Sequence, residues 1–174
     1  MNKILILFMF IMAICQSAVS QNCKYDHNEK DPFTGQQTAY IYIKSINDFS
    51  NVDASVSIHN DSVYLFFNVT YGQIFQENTL DSGGVLLLKF GNDSIIKLNI
   101  FPGRLTVSNM NNVLSSTFSF GVYLNKSDIS YLSSNGATVF RVESRNAKWT
   151  YNVKENKGKK IQQAVNCIKI LQKQ

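Results

Sequence analysis

From Thr38 onward, apolar and polar residues alternate with a period of two. Ile41 and Ile43 alternate with Tyr40, Tyr42 and Lys44, and Val52, Ala54, Val56 and Ile58 alternate with Asp53, Ser55, Ser57 and His59. After the turn pair Asn60-Asp61, Val63, Leu65, Phe67 and Val69 alternate with Tyr64, Phe66, Asn68 and Thr70. Successive side chains of a strand point to opposite faces, so each run predicts a strand with one buried side, and two runs around a short polar turn predict a hairpin. Ser82-Gly83-Gly84 opens a second such unit, with strands over 85–90 and 94–101 around Gly91-Asn92-Asp93. Pro102-Gly103 reads as punctuation, followed by a short strand at Leu105 and Val107. Phe118, Phe120, Val122 and Leu124 form another alternation, and 137–144 with 148–153 form a last pair around Arg145-Asn146-Ala147. Eight or nine closely spaced strands predict a mainly β fold, an antiparallel sandwich or a barrel-like sheet.

Two helices interrupt this pattern. Ser127 is placed to cap a short one over 128–133, with Asp128 at its positive end. A C-terminal amphipathic helix is predicted over 159–171, where Ile161, Ala164, Val165, Ile168 and Leu171 repeat at three and four residues, just after Gly158. Cys167 lies at the border of that stripe.

The ends of the chain read differently. Residues 1–20 have the form of a secretory signal: Lys3, then eleven apolar residues over 4–14, then Ala18-Val19-Ser20 before a cut at Gln21. Eleven residues are too few to span a bilayer of ~30 Å as a helix. Residues 21–174 then form a single β-rich domain, beginning with an aperiodic extended arm over 21–37, and the mature chain holds no transmembrane segment. The expected location is outside the cytoplasm: periplasm, cell surface or extracellular.

Removal of the leader takes Cys15 with it and leaves Cys23 and Cys167. In an oxidising compartment two thiols suggest one disulfide, joining the mature N-terminus to the terminal helix. Two separate thiols are the alternative. Charge is distributed unevenly. From residue 141 onward there are nine basic residues and two acidic ones, whereas 21–140 carries seven basic and ten acidic. Lys154, Lys157, Lys159 and Lys160 gather at the terminal helix, where weak contact with an anionic surface competes with a solvated, lysine-rich helix face as their role. The solvated face is favoured, and no nucleic-acid partner is expected.

The inventory for catalysis and metal binding is thin. Ser94-Ile95-Ile96-Lys97 matches Ser-x-x-Lys by letter, but on a strand residues three apart face opposite ways. His27 and His59 are the only imidazoles. His27 stands among Asp26, Glu29 and Asp31, hard oxygens of the kind that suit a cation, without the spacing of a calcium loop. No catalytic residue, cofactor or metal site is expected. Asn60, Asn68, Asn92 and Asn125 each begin an Asn-x-Ser/Thr triplet, read as chance matches in a chain rich in these residues.

The mature N-terminus carries Cys23, Tyr25, Asn28-Glu29, Asp31 and Phe33-Thr34-Gly35. Later come Tyr123 with Ser127-Asp128-Ile129 and Leu132, then Phe140-Arg141-Val142 ahead of a Cys-bearing helix. This pattern resembles small exported proteins common in Gram-negative Bacteroidota. The resemblance implies export and a β-rich domain, and it implies no reaction. Tyr40, Tyr42, Tyr64 and Phe66 fall on the faces opposite the best apolar alternations. Burial of both faces is the expected arrangement; exposure of one would turn these rings into a platform for sugars or proteins. The expected function is a non-catalytic binding or interaction module at the cell envelope, with an unknown protein or glycan as partner. The alternatives are a small carrier barrel for an apolar ligand and, less favoured, an envelope hydrolase using dispersed carboxylates.

Overall fold

The alternating runs fold as strands whose apolar positions share one side of a sheet. A computed structural model describes residues 23–49, 51–71, 84–110, 113–144 and 148–172, without the side chains of 102–105, 107–110, 113 and 114. Its nine strands are β1 (His27–Lys30), β2 (Gln37–Ile43), β3 (Val52–His59), β4 (Ser62–Tyr71), β5 (Val85–Phe90), β6 (Ile95–Met110), β7 (Val113–Leu124), β8 (Ala137–Glu143) and β9 (Lys148–Asn152). They form one open antiparallel sheet in the order β1-β2-β3-β4-β7-β6-β5-β8-β9. Helix α1 (Lys126–Leu132) carries the chain from β7 to β8, and α2 (Glu155–Leu171) follows β9. The leader expected over 1–20 and the glycine turn at 82–83 lie outside the described residues.

Turn chemistry fixes the register. Asn60 and Asp61 both take positive φ, 49° and 63°, the primed-turn geometry that follows the twist of the flanking strands. With His59 paired to Ser62, Val52, Ala54, Val56 and Ile58 of β3 and Val63, Leu65, Phe67 and Val69 of β4 reach the same side and are buried. Three boundaries differ from those the pattern predicts. The arm over 21–37 contains β1, a charged four-residue edge strand paired with β2. Pro102-Gly103 does not end a strand: β6 pairs with β5 through Asn99 and with β7 from Ile100, shifting register between Phe101 and Arg104. A residue without an N–H is tolerated in a sheet at such an irregularity. The strand expected at Leu105 and Val107 is therefore the continuation of β6.

The sheet curls until its two halves face each other. β4 and β8 are four positions apart in strand order, yet Phe67 and Phe140 stack with centroids 5.0 Å apart. Phe120 stacks on Phe67 at 5.3 Å, Tyr151 on Phe140 at 4.9 Å, and Phe118 meets Trp149 at 5.9 Å. Beyond β9, Val153 bridges Asn47 in the β2–β3 connection, and Lys154 N–H donates to the Ile46 carbonyl at 2.9 Å. These contacts draw the far end of the sheet toward β2 without closing it into a barrel.

Helix α2 covers the remaining concave side, burying Ile161, Ala164, Val165, Cys167 and Ile168 against β2, β3, β8 and α1. It starts four residues earlier than the stripe predicts, because the N–H groups of Lys157 and Gly158 already bond the Lys154 carbonyl. Gly158 is thus inside the helix and buried. A Cβ there would lie 2.3 Å from the Ala137 carbonyl oxygen, so the glycine permits close approach to β8. The cap of α1 is also displaced from Ser127 to Asn125. Its Oδ1 accepts from Ser127 N–H at 2.8 Å and Asp128 N–H at 3.0 Å, while Asp128 returns a bond to Asn125 N–H at 3.0 Å, a reciprocal capping box. Among the described residues no helix is long and apolar enough to cross a membrane.

Candidate binding face

The convex side of the sheet is where structure and expectation part. Among the described residues no second layer lies over Tyr40, Tyr42, Tyr64 and Phe66, because α2 packs on the concave side. Tyr40 is 41% and Tyr123 53% exposed, while Tyr42, Tyr64, Phe66 and Phe101 are half-buried.

Strand register sorts this face into rows. One row runs His27, Tyr40, Ser57, Tyr64, Tyr123 across β1, β2, β3, β4 and β7. The next runs Tyr42, Ser55, Phe66, Gly121, Phe101 across β2, β3, β4, β7 and β6. Asp53, Asn68 and Ser119 follow in a third. The rings touch one another: Tyr64 lies 5.9 Å from Phe66, 6.0 Å from Phe101 and 6.0 Å from Tyr123, and Phe66 lies 5.6 Å from Phe101. At the edge, His27 stacks on Tyr40 with centroids 5.5 Å apart.

Gly121 is the floor beneath these rings. A Cβ at that position would fall 2.5 Å from Phe101 Cζ and 2.6 Å from Phe66 Cδ1. The absence of a side chain lets both rings lie down on the sheet, and they shield the glycine backbone in return. Polar neighbours tie the face to the strands. Ser119 Oγ donates to Asn68 Oδ1 at 2.6 Å, and Thr70 and Thr117 exchange a hydroxyl bond at 3.1 Å. Tyr42 O–H donates to Asp53 Oδ2 at 2.5 Å, while Asp53 Oδ1 accepts from Ser45 N–H at 2.7 Å. Partial burial and the adjacent Asp53 carboxylate push the Tyr42 hydroxyl up to about 12.

Of the residues singled out from sequence, Cys23 and Cys167 are joined in a disulfide, with Cα atoms 5.6 Å apart and a sequence separation of 144. Tyr25 O–H donates to the Cys167 carbonyl at 3.1 Å, a second tie between arm and helix. The four lysines stand at the start of α2. Lys154 is the N-cap position of α2, Lys157 Nζ donates to the Lys44 carbonyl at 2.6 Å, and Lys159 pairs with Glu155 at 2.7 Å. Lys160 lines a groove of about 330 Å³ with Lys24, Asp26 and the β2 residues Ile41, Tyr42 and Ile43.

In the arm, Glu29 lies 3.5 Å from His27, and both line a groove with Asp31. Asp26 accepts from Tyr42 N–H at 2.6 Å. Asp31 accepts from Phe33 and Thr34 N–H at 2.7 and 2.9 Å, bonds that hold its carboxyl below the usual range. Ser94 bonds Asn92 and the Tyr131 hydroxyl rather than Lys97. Among the described residues no three His, Cys, Asp or Glu side chains are grouped to hold a metal ion.

Sequence reasoning missed Phe101, Tyr123 and Gly121 as members of the face. The signal available was the strand alternation itself: Gly121 and Tyr123 occupy the positions between the apolar Phe120, Val122 and Leu124. Comparison with family models, with curated proteins and with solved structures finds no match.

Proposed function

We propose that this chain is an exported, non-catalytic binding module of the cell envelope, and that the convex aromatic face is its contact surface. The observation that carries this reading is the linked set of rings of Tyr64, Phe66, Phe101 and Tyr123 on the convex side of the sheet, the first three half-buried and Tyr123 exposed. Contiguous exposed apolar surface on a folded domain marks interaction sites. Export is supported by the signal-like residues 1–20, by the disulfide, and by the resemblance to small exported Bacteroidota proteins. The carrier reading is less favoured. The concave side, where an apolar ligand would have to sit, is filled by Phe67, Phe120, Phe140 and α2.

Co-sedimentation with envelope fragments of a Gram-negative Bacteroidota cell tests the reading. The wild-type chain should pellet with the fragments, and Tyr64→Ser/Tyr123→Ser should remain in the supernatant with a nearly unchanged melting temperature. Equal pelleting of both proteins, or of neither, contradicts it. The lysine-rich helix supplies the competing outcome: contact through Lys157 and Lys160 would be lost in ~0.5 M salt, whereas contact through uncharged rings would persist.

A further inference from the structure

We infer that the partner of the convex face is an uncharged glycan chain lying across the strands, an inference that rests on that face being the contact surface. The first ground is what the face lacks. The described outward side chains of β2, β3, β4 and β7 include Tyr, Phe, Ser, Thr, Asn, Asp and His, and no aliphatic residue. A protein partner is normally met by a desolvated core in which aliphatic and aromatic groups fill each other's pockets. This face offers flat rings separated by small hydroxyls, with Ser57 between Tyr40 and Tyr64, and Ser55 between Tyr42 and Phe66. A pyranose presents the complementary pattern, with C–H groups on its flat side and hydroxyls around its rim.

The second ground is charge. Single-stranded nucleic acid also stacks on rings, but it requires a basic groove to follow its phosphates. Across β2, β3, β4 and β7 the described side chains of these rows hold no lysine or arginine, and the basic positions Lys97 and Arg104 stand on β6 at the margin of the face. Asp53, the acidic group among them, is engaged by Tyr42 and Ser45. A row of tyrosines and serines without a basic side chain fits an uncharged chain better than an anionic one. The third ground is extent. Tyr40, Tyr64 and Tyr123 stand on a row that crosses from β2 to β7, three strand spacings or about 14 Å at ~4.8 Å each. That length suits several sugar units rather than one, so binding should strengthen with chain length.

The test uses neutral hexasaccharides of glucose, xylose and mannose, the corresponding monosaccharides, and polygalacturonate as the anionic control. Titrations are followed by amide chemical-shift perturbation of the full mature chain. One neutral hexasaccharide series should bind, shifting the amides of β4 and β7, more tightly than its monosaccharide and without sensitivity to salt. Tyr64→Ala should weaken it about tenfold, and Tyr64→Phe, which keeps the ring, should restore it. Protease-stripped envelope fragments should still pellet the protein. Preference for polygalacturonate with strong salt dependence overturns the inference. So does the absence of neutral-glycan binding together with loss of pelleting after protease treatment; if Tyr64→Ala still blocks pelleting on untreated fragments, the face is the contact surface and its partner is a protein. Glycan binding that Tyr64→Ala leaves unchanged overturns the face itself.

Discussion

Gly121 and Gly158 do opposite jobs with the same missing atom. Gly158 lets α2 approach the backbone of β8, where the obstacle to a Cβ is a carbonyl oxygen that cannot move aside. Gly158→Ala would gain up to ~1 kcal/mol of helix propensity, but overpacking of this kind costs about 1–3 kcal/mol or more. The cost should win, and the melting temperature should fall by several degrees in a thermal scan. Gly121 meets only rings, which can tilt. Gly121→Ala should therefore disturb binding to envelope fragments more than stability. Tyr42 offers a titration test. Its hydroxyl loses a proton near 10 when unfolded and is pushed to about 12 when folded. Stability from this group is complete below pH 10 and declines as pH rises toward 12, because the native state there holds a proton that the unfolded chain has released. Tyr71 and Tyr151, raised mainly by burial, act in the same direction. Tyr42→Phe should make the alkaline decline in melting temperature shallower without abolishing it.

At the scale of elements, α2 is held by its buried face rather than by its start, where Lys154 supplies no side-chain cap. Val165 is fully buried, so Val165→Asp should destabilise by several kcal/mol through an unpaired buried carboxylate. Asn125→Ala removes a cap from α1 and should cost about 1 kcal/mol. Urea unfolding of both variants checks the order, and a cap loss exceeding the core substitution would contradict the packing described. Strands were legible because alternation is local: Val52 to Ile58 and Val63 to Val69 fixed their own faces and the hairpin between them. Boundaries were less legible where a tertiary contact decided them. Pro102 reads as a breaker until the register shift that accommodates it is seen, and Gly158 reads as lying before the helix until the Ala137 carbonyl is placed beside it.

At the scale of the whole molecule, the disulfide ties the arm to the last helix and encloses most of the chain. The chain-entropy model assigns roughly 5 kcal/mol to a loop of this length as an upper figure. Reductant should lower the melting temperature markedly in the wild type and leave Cys23→Ser/Cys167→Ser unaffected. The bond could be anticipated from counting cysteines, whereas the curl of the sheet could not. No local pattern tells that Phe67 will stack on Phe140, and without the curl the single covered side could not be assigned. That is why burial of both faces was expected, whereas Tyr40 is exposed and Tyr42, Tyr64 and Phe66 are half-buried.

Nitration of exposed tyrosines reads the contact surface directly. Tetranitromethane is applied to the chain alone and to the chain bound to envelope fragments, and modified sites are located by mass spectrometry. Tyr40 and Tyr123 on the convex face should be protected by the bound material, while Tyr131 on α1, packed against Phe90 away from that face, should react equally in both. Protection of Tyr131 with Tyr40 and Tyr123 still reactive would contradict the account.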